Sequence, residues 1–129
     1  MMVTALHHVL VAMPSGREDM ARDFYRDILG MQEVTKPPAL AAKGGAWFRS
    51  GSAELHLGIE EPFRAAEKAH PAFVVRDLDD VVDRLVATGH AVVPDDEFPG
   101  HRRVYVRDPF GNRIELLEPV PLMAQEADG

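Results

Sequence analysis

The sequence predicts an α+β fold made of two βαβββ units in tandem. Two observations carry this. The order of apolar strand, helix and short strands is legible twice along the 129 residues, at roughly 60 residues a unit. In addition, each half places an ionisable side chain in an apolar first strand and another in an apolar last strand. Leu6 to Met13 is apolar and partly β-branched and stops at Pro14-Ser15-Gly16, which reads as a buried strand. Ser15 and Glu18 have the spacing of a capping box, and Met20, Ala21, Phe24 and Ile28 share one face of a helix that Gly30 ends. Gln32 to Thr35 reads as a short additional strand. Pro37-Pro38 and Gly44-Gly45 bracket a loop, and Ala46 to Arg49 and Glu54 to Ile59 follow as strands about a Gly51-Ser52 turn.

His70 to Val75 opens the second unit as another apolar strand. Asp77 is placed to cap a helix in which Leu78, Val81, Val82 and Leu85 lie at helical spacing, with Gly89 past its end. Ala91 to Val93 is a short strand. Val104 to Arg107 then forms a hairpin with Arg113 to Glu118 across Asp108-Pro109-Phe110-Gly111-Asn112, where proline presets φ and glycine escapes the β-carbon clash. A single domain over residues 1–129 is expected, with module one at about 5–61, module two at about 69–119 and a flexible tail at 120–129.

Composition narrows the function. With 46% hydrophobic and 27% charged residues the chain has the balance of an ordinary globular domain. The absence of cysteine excludes disulfides, iron–sulfur clusters, thiolate zinc sites and a cysteine nucleophile. Lysine and arginine number 14 against 21 aspartates and glutamates, a net charge of −7, which argues against a nucleic-acid partner. No apolar run approaches the roughly 20 residues that span a bilayer and no leader pattern opens the chain, so a cytoplasmic protein without a membrane partner is expected. Phosphate-binding loops, dinucleotide fingerprints and serine nucleophile elbows are missing.

The informative residues are the polar ones in apolar strands. His8 and His70 stand in the first strands of the two units, and His56 and Glu115 in the last. An imidazole or carboxylate among apolar neighbours is costly unless it is paired, and a divalent metal is one such partner. Two or more neutral imidazoles with a carboxylate suit zinc, iron, manganese, nickel or cobalt. Glu54 competes with His56 as the fourth ligand, because the two share a strand face; His56, with an apolar residue before it and a leucine after it as in Ile114-Glu115-Leu116, is preferred. His7 is expected on the opposite face, without a role. Trp47 and Phe48 are expected as core rather than cavity lining, and Pro99 to Arg103 as a solvated loop rather than a lid carrying an anion-binding arginine.

Three stretches together resemble the vicinal oxygen chelate superfamily, which includes glyoxalase I, bleomycin-resistance proteins, extradiol dioxygenases, fosfomycin-resistance enzymes and methylmalonyl-CoA epimerase. They are His8-Val9-Leu10-Val11, Phe24-Tyr25-Arg26-Asp27-Ile28-Leu29-Gly30, and Asp108-Pro109-Phe110-Gly111-Asn112-Arg113-Ile114-Glu115. The resemblance implies a glyoxalase-like fold in which paired βαβββ modules form a curled mixed sheet around a central cavity, usually within a homodimer. It carries the family's metal ligands onto His8, His70 and Glu115, with His56 where the family often has glutamate or glutamine. It implies a metal-dependent enzyme acting on a small oxygenated substrate by bidentate chelation, with Glu115 as both ligand and catalytic base. The alternative is a metal-free protein that sequesters an antibiotic-like molecule.

Overall fold

The computed structural model describes residues 1–121, so most of the expected flexible tail, from residue 122 on, lies outside the described residues. Val120, inside that tail, donates its amide to the Gly100 carbonyl at 2.9 Å. The chain forms two compact units, one of Met1–Glu67 with Asp108–Asn112, the other of Lys68–Arg107 with Arg113 onward.

In the first unit β1 (Val9–Met13) leads through helix α1 (Glu18–Ala21) and a π-helical stretch (Arg22–Ile28) to β2 (Gln32–Val34). A single turn of helix α2 (Pro38–Ala41), β3 (Ala46–Ser50) and β4 (Ala53–Ile59) complete it. The sheet order is β1-β4-β3-β2. β1 runs parallel to β4, with Val9 opposite Leu55 and Met13 opposite Ile59, as the helical crossover between first and last strand requires; the other pairs are antiparallel. The second unit has the same plan. β5 (Ala72–Val74), α3 (Leu78–Ala87), β6 (Val92–Asp95), β7 (His101–Arg107) and β8 (Arg113–Pro119) give the order β5-β8-β7-β6, again with a parallel pair of first and last strands. The expected α+β duplication is therefore present.

Each sheet buries one face under its own helix. Met13, Phe24, Tyr25, Phe48, Leu55 and Leu57 fill the first core, and Leu78, Leu85, Val106, Ile114 and Leu116 the second. Phe48 is core as expected. Asp77 caps α3 by accepting the Asp80 amide at 3.1 Å. The expected Ser15 capping box does not form: Gly16 takes φ of 76° in a turn, the helix starts after Arg17, and Ser15 is left outside the cap position. The π-helical stretch, closed by the Leu29 amide on the Phe24 carbonyl (3.0 Å), turns both Phe24 and Tyr25 inward, where regular helical spacing allotted the face to Phe24 and Ile28. β7 begins at His101, so Arg102 and Arg103 belong to a strand and not to the expected loop; their side chains pair with Asp79 (2.6 Å) and Asp95 (2.8 Å).

Asp108 makes the β7–β8 turn. Its Oδ1 accepts the Phe110 and Asn112 amides, both at 2.9 Å, and its Oδ2 accepts the buried Tyr25 hydroxyl at 2.7 Å and Asn112 Nδ2 at 3.0 Å. Asn112 donates from the same nitrogen to the Ala12 carbonyl (2.8 Å) and accepts the Ala66 amide (2.9 Å). Among the described residues no helix is long and apolar enough to cross a membrane.

Candidate functional site

The four expected ligands fall into two pairs, one in each unit. In the first unit His8 stands one residue before β1 and His56 in the middle of β4, with ring centroids 4.0 Å apart and nearly parallel. The other face of His56 lies on the Trp47 indole, at 3.8 Å and 2° between planes, so the imidazole is clamped between two rings. The cross-strand register explains the clamp, because Trp47 on β3 and Leu10 on β1 both sit directly opposite His56.

Glu54 is on the same face of β4, two residues earlier. Its Oε2 is 3.3 Å from His56 Nε2, and its Oε1 accepts two bonds from Arg49 at 2.8 and 2.7 Å. Since a carboxylate oxygen only accepts here, His56 Nε2 carries the proton and donates it, leaving Nδ1 as that ring's lone pair. The Arg49 bonds hold the Glu54 carboxyl below the usual carboxylate range, and burial, followed by nearby His8, lowers the His56 imidazole. Ligand atoms of His7, His8 and Glu54 lie within 4.8 Å of one another. His7 thus departs from its expected place on the opposite face: with both histidines ahead of β1, strand alternation does not separate them. Its Nδ1 is 3.0 Å from His8 Nδ1 and 3.6 Å from Glu54 Oε2.

In the second unit His70 precedes β5 and its Nε2 meets Glu115 Oε1 at 2.8 Å. The other ring nitrogen, Nδ1, is 2.8 Å from the Lys68 carbonyl, which can only accept, so that nitrogen carries a proton. In a neutral ring the Nε2 lone pair then faces the carboxylate oxygen. A cation, either a proton or a metal ion, has to be shared between them. A backbone carbonyl fixing the far nitrogen is also the arrangement that aims a metal-ligating histidine. This donor set fits a divalent ion.

Around Glu115 the second unit adds groups that sequence reasoning did not place beside it. Arg103 reaches Glu115 Oε2 at 3.5 Å while holding Asp95, and Tyr105, directly opposite Glu115 on β7, lies edge-on to His70. The Arg103 and Arg113 guanidinium carbons stand 5.3 and 4.0 Å from the Tyr105 centroid. Strand alternation was the available signal: Arg103 with Tyr105 and Arg113 with Glu115 are each two apart, and the turn sets the register that joins them. In the first unit a cleft of about 260 Å³ opens beside the clamped histidine, lined by Leu10, Lys36, Leu40, Trp47, His56 and Gly58 among others. A larger cavity of about 690 Å³ between α3 and strands β6 and β7 contains none of the four expected ligands.

The Glyoxalase/Bleomycin resistance protein/Dioxygenase superfamily model matches residues 5–116. The crystal structure of a glyoxalase family protein from Bacillus anthracis is 44% identical, covers 92% of this chain and 97% of its own, and superposes with a TM-score of 0.87. Lactoylglutathione lyase from Agrobacterium tumefaciens is 25% identical, with 92% and 96% covered and a TM-score of 0.70. A fosfomycin resistance protein from Listeria monocytogenes, 16% identical over 96% and 99% with a TM-score of 0.72, shares the fold. No curated protein matches the chain.

Proposed function

The chain belongs to the Glyoxalase/Bleomycin resistance protein/Dioxygenase superfamily, the vicinal oxygen chelate proteins, and from this we propose that it is a metal-dependent enzyme acting on a small oxygenated substrate. The observation that carries the reading is the His70–Glu115 pair, an imidazole nitrogen and a carboxylate oxygen 2.8 Å apart with the far ring nitrogen fixed by the Lys68 carbonyl. His70 and Glu115 would hold the ion in the second unit, and in the first unit the matching donors are His8 and a group of β4, for which Glu54 is our choice. Its oxygen groups with His8, whereas His56 is clamped between rings with its Nε2 proton directed at Glu54 and serves to orient that carboxylate. This replaces His56, the residue preferred from sequence. The ion, zinc, iron, manganese, nickel or cobalt, would supply Lewis-acid stabilisation of negative charge on the substrate oxygens. Glu115 would take a proton from the substrate, oriented by Arg103, which approaches its second oxygen at 3.5 Å.

The second reading, metal-free sequestration of a small molecule, rests on the Trp47 cleft. Thermal unfolding of chelator-stripped protein, with and without each of the five metals, separates the two. An ion bound only by the native state at 100 times its Kd adds about 2.7 kcal/mol, which for a chain of this length raises the midpoint by about 10 °C. No shift with any metal contradicts the enzyme reading. The same reading includes a cytoplasmic homodimer, for which the warrant is the family; a sedimentation mass of one chain at tens of micromolar protein contradicts it.

A further inference from the structure

The two arginines beside Tyr105 are not in the same state. Arg103 is committed: its Nε holds Asp95 at 2.8 Å and its NH1 approaches Glu115 at 3.5 Å. Arg113 has its guanidinium carbon over the Tyr105 ring, 4.0 Å from the centroid, and among the described residues no carboxylate oxygen is within 4.0 Å of it; Asp95, already held by Arg103, acts on it only at longer range. A guanidinium held over a ring keeps N–H donors that no carboxylate of the described residues takes, in a fork that matches the two oxygens of an oxyanion. By strand alternation Arg113 shares a face of β8 with Glu115, roughly 7 Å away along the strand. A chain with a net charge of −7 has no general attraction for anions, so selection of an anion depends on a local cation of this kind.

We propose that the substrate is anionic and that Arg113, lying on Tyr105 two residues before Glu115, binds its acid group, a carboxylate or a phosphate-type oxyanion. This rests on the proposed metal site and deepens it: the acid group lies a few bonds from the oxygens that the ion would take. If Arg113 merely covers Tyr105, its replacement affects neutral and charged ligands alike.

Three probes with one chelating end separate these cases: acetohydroxamate, which has no acid group, the monohydroxamate of succinate, and phosphonoacetohydroxamate. Their affinities are measured by calorimetry on the metal-loaded wild type, Arg113→Gln and Arg113→Lys, with far-UV circular dichroism confirming each fold. The wild type is expected to bind at least one acid-bearing probe about tenfold or more tighter than acetohydroxamate, a gap of about 1.4 kcal/mol. Arg113→Gln is expected to close that gap without changing acetohydroxamate affinity, and Arg113→Lys to keep part of it. The tighter acid probe identifies the acid. Equal binding of all three by the wild type, or a gap that survives in Arg113→Gln, overturns the proposal and leaves the metal site standing. Should no metal load, resin-stripped protein is titrated with succinate and inorganic phosphate. Binding abolished by Arg113→Gln then sustains the anion site without the metal, and absence of such binding overturns it.

Discussion

Asp108→Ala is expected to be among the most damaging single substitutions in this chain outside the site. The carboxylate is 4% exposed and accepts from four donors: the Tyr25 hydroxyl, the Phe110 and Asn112 amides, and Asn112 Nδ2. A hydrogen bond to a charged group contributes about 1.5–3 kcal/mol, and a buried donor left without a partner costs about 1–3 kcal/mol. Tyr25 is wholly buried and has no water to turn to, while the Asn112 side chain retains the Ala12 carbonyl. Counting the Tyr25 bond in full and the turn amides in part gives a loss of about 3–5 kcal/mol, against a total stability on the order of 10 kcal/mol for a chain of this size. Tyr25→Phe, which leaves Asp108 three donors, is expected to lose about 1–2 kcal/mol. Urea unfolding followed by Trp47 fluorescence and circular dichroism measures both. A loss below about 1 kcal/mol for Asp108→Ala would refute the account of this turn.

Burial, then the charge of Asp108, pushes the Tyr25 hydroxyl well above its ordinary value of 10.0, so the native state keeps a proton that the unfolded chain releases. The stability this contributes is fully present below pH 10 and is lost as pH rises beyond it; the slope of stability against pH above 10 should be shallower in Tyr25→Phe than in the wild type. Gly45→Ala is expected to cost about 2 kcal/mol or more by urea unfolding, because Gly45 has φ of 82° and an added β-carbon collides with the Leu57 carbonyl oxygen; an unchanged midpoint would count against the position as placed. Leu85→Ala, fully buried on α3, is expected to lose about 2–5 kcal/mol, and a loss under about 1 would mean the second core is not packed as described.

The duplicated plan was legible because it is carried by backbone chemistry: glycines at Gly30, Gly89 and Gly111, the Asp77 cap and apolar strands. Residue pairs within each half were also legible, since strand alternation places Glu54 and His56 on one face without three-dimensional knowledge. What escaped depended on where strands begin. His7 was assigned to the far side by an alternation that applies only after Val9, and Arg102 and Arg103 were taken for loop because β7 starts three residues earlier than its apolar run. The π-helical stretch escaped because its wider turn has no distinct apolar period in so short a segment. The choice between Glu54 and His56 turns on the stacking of His56 between Trp47 and His8, which needs the register of three strands at once.

The central claim is that the His70–Glu115 pair holds a divalent ion, and metal content tests it most directly. Wild-type protein is stripped, loaded with each of zinc, manganese, iron, nickel and cobalt, desalted and submitted to elemental analysis beside Glu115→Gln and His70→Ala. The account predicts close to one ion per chain in the wild type for at least one metal, and a large loss of that ion in both variants. A wild type that retains none of the five, or variants that retain as much as the wild type, would contradict it.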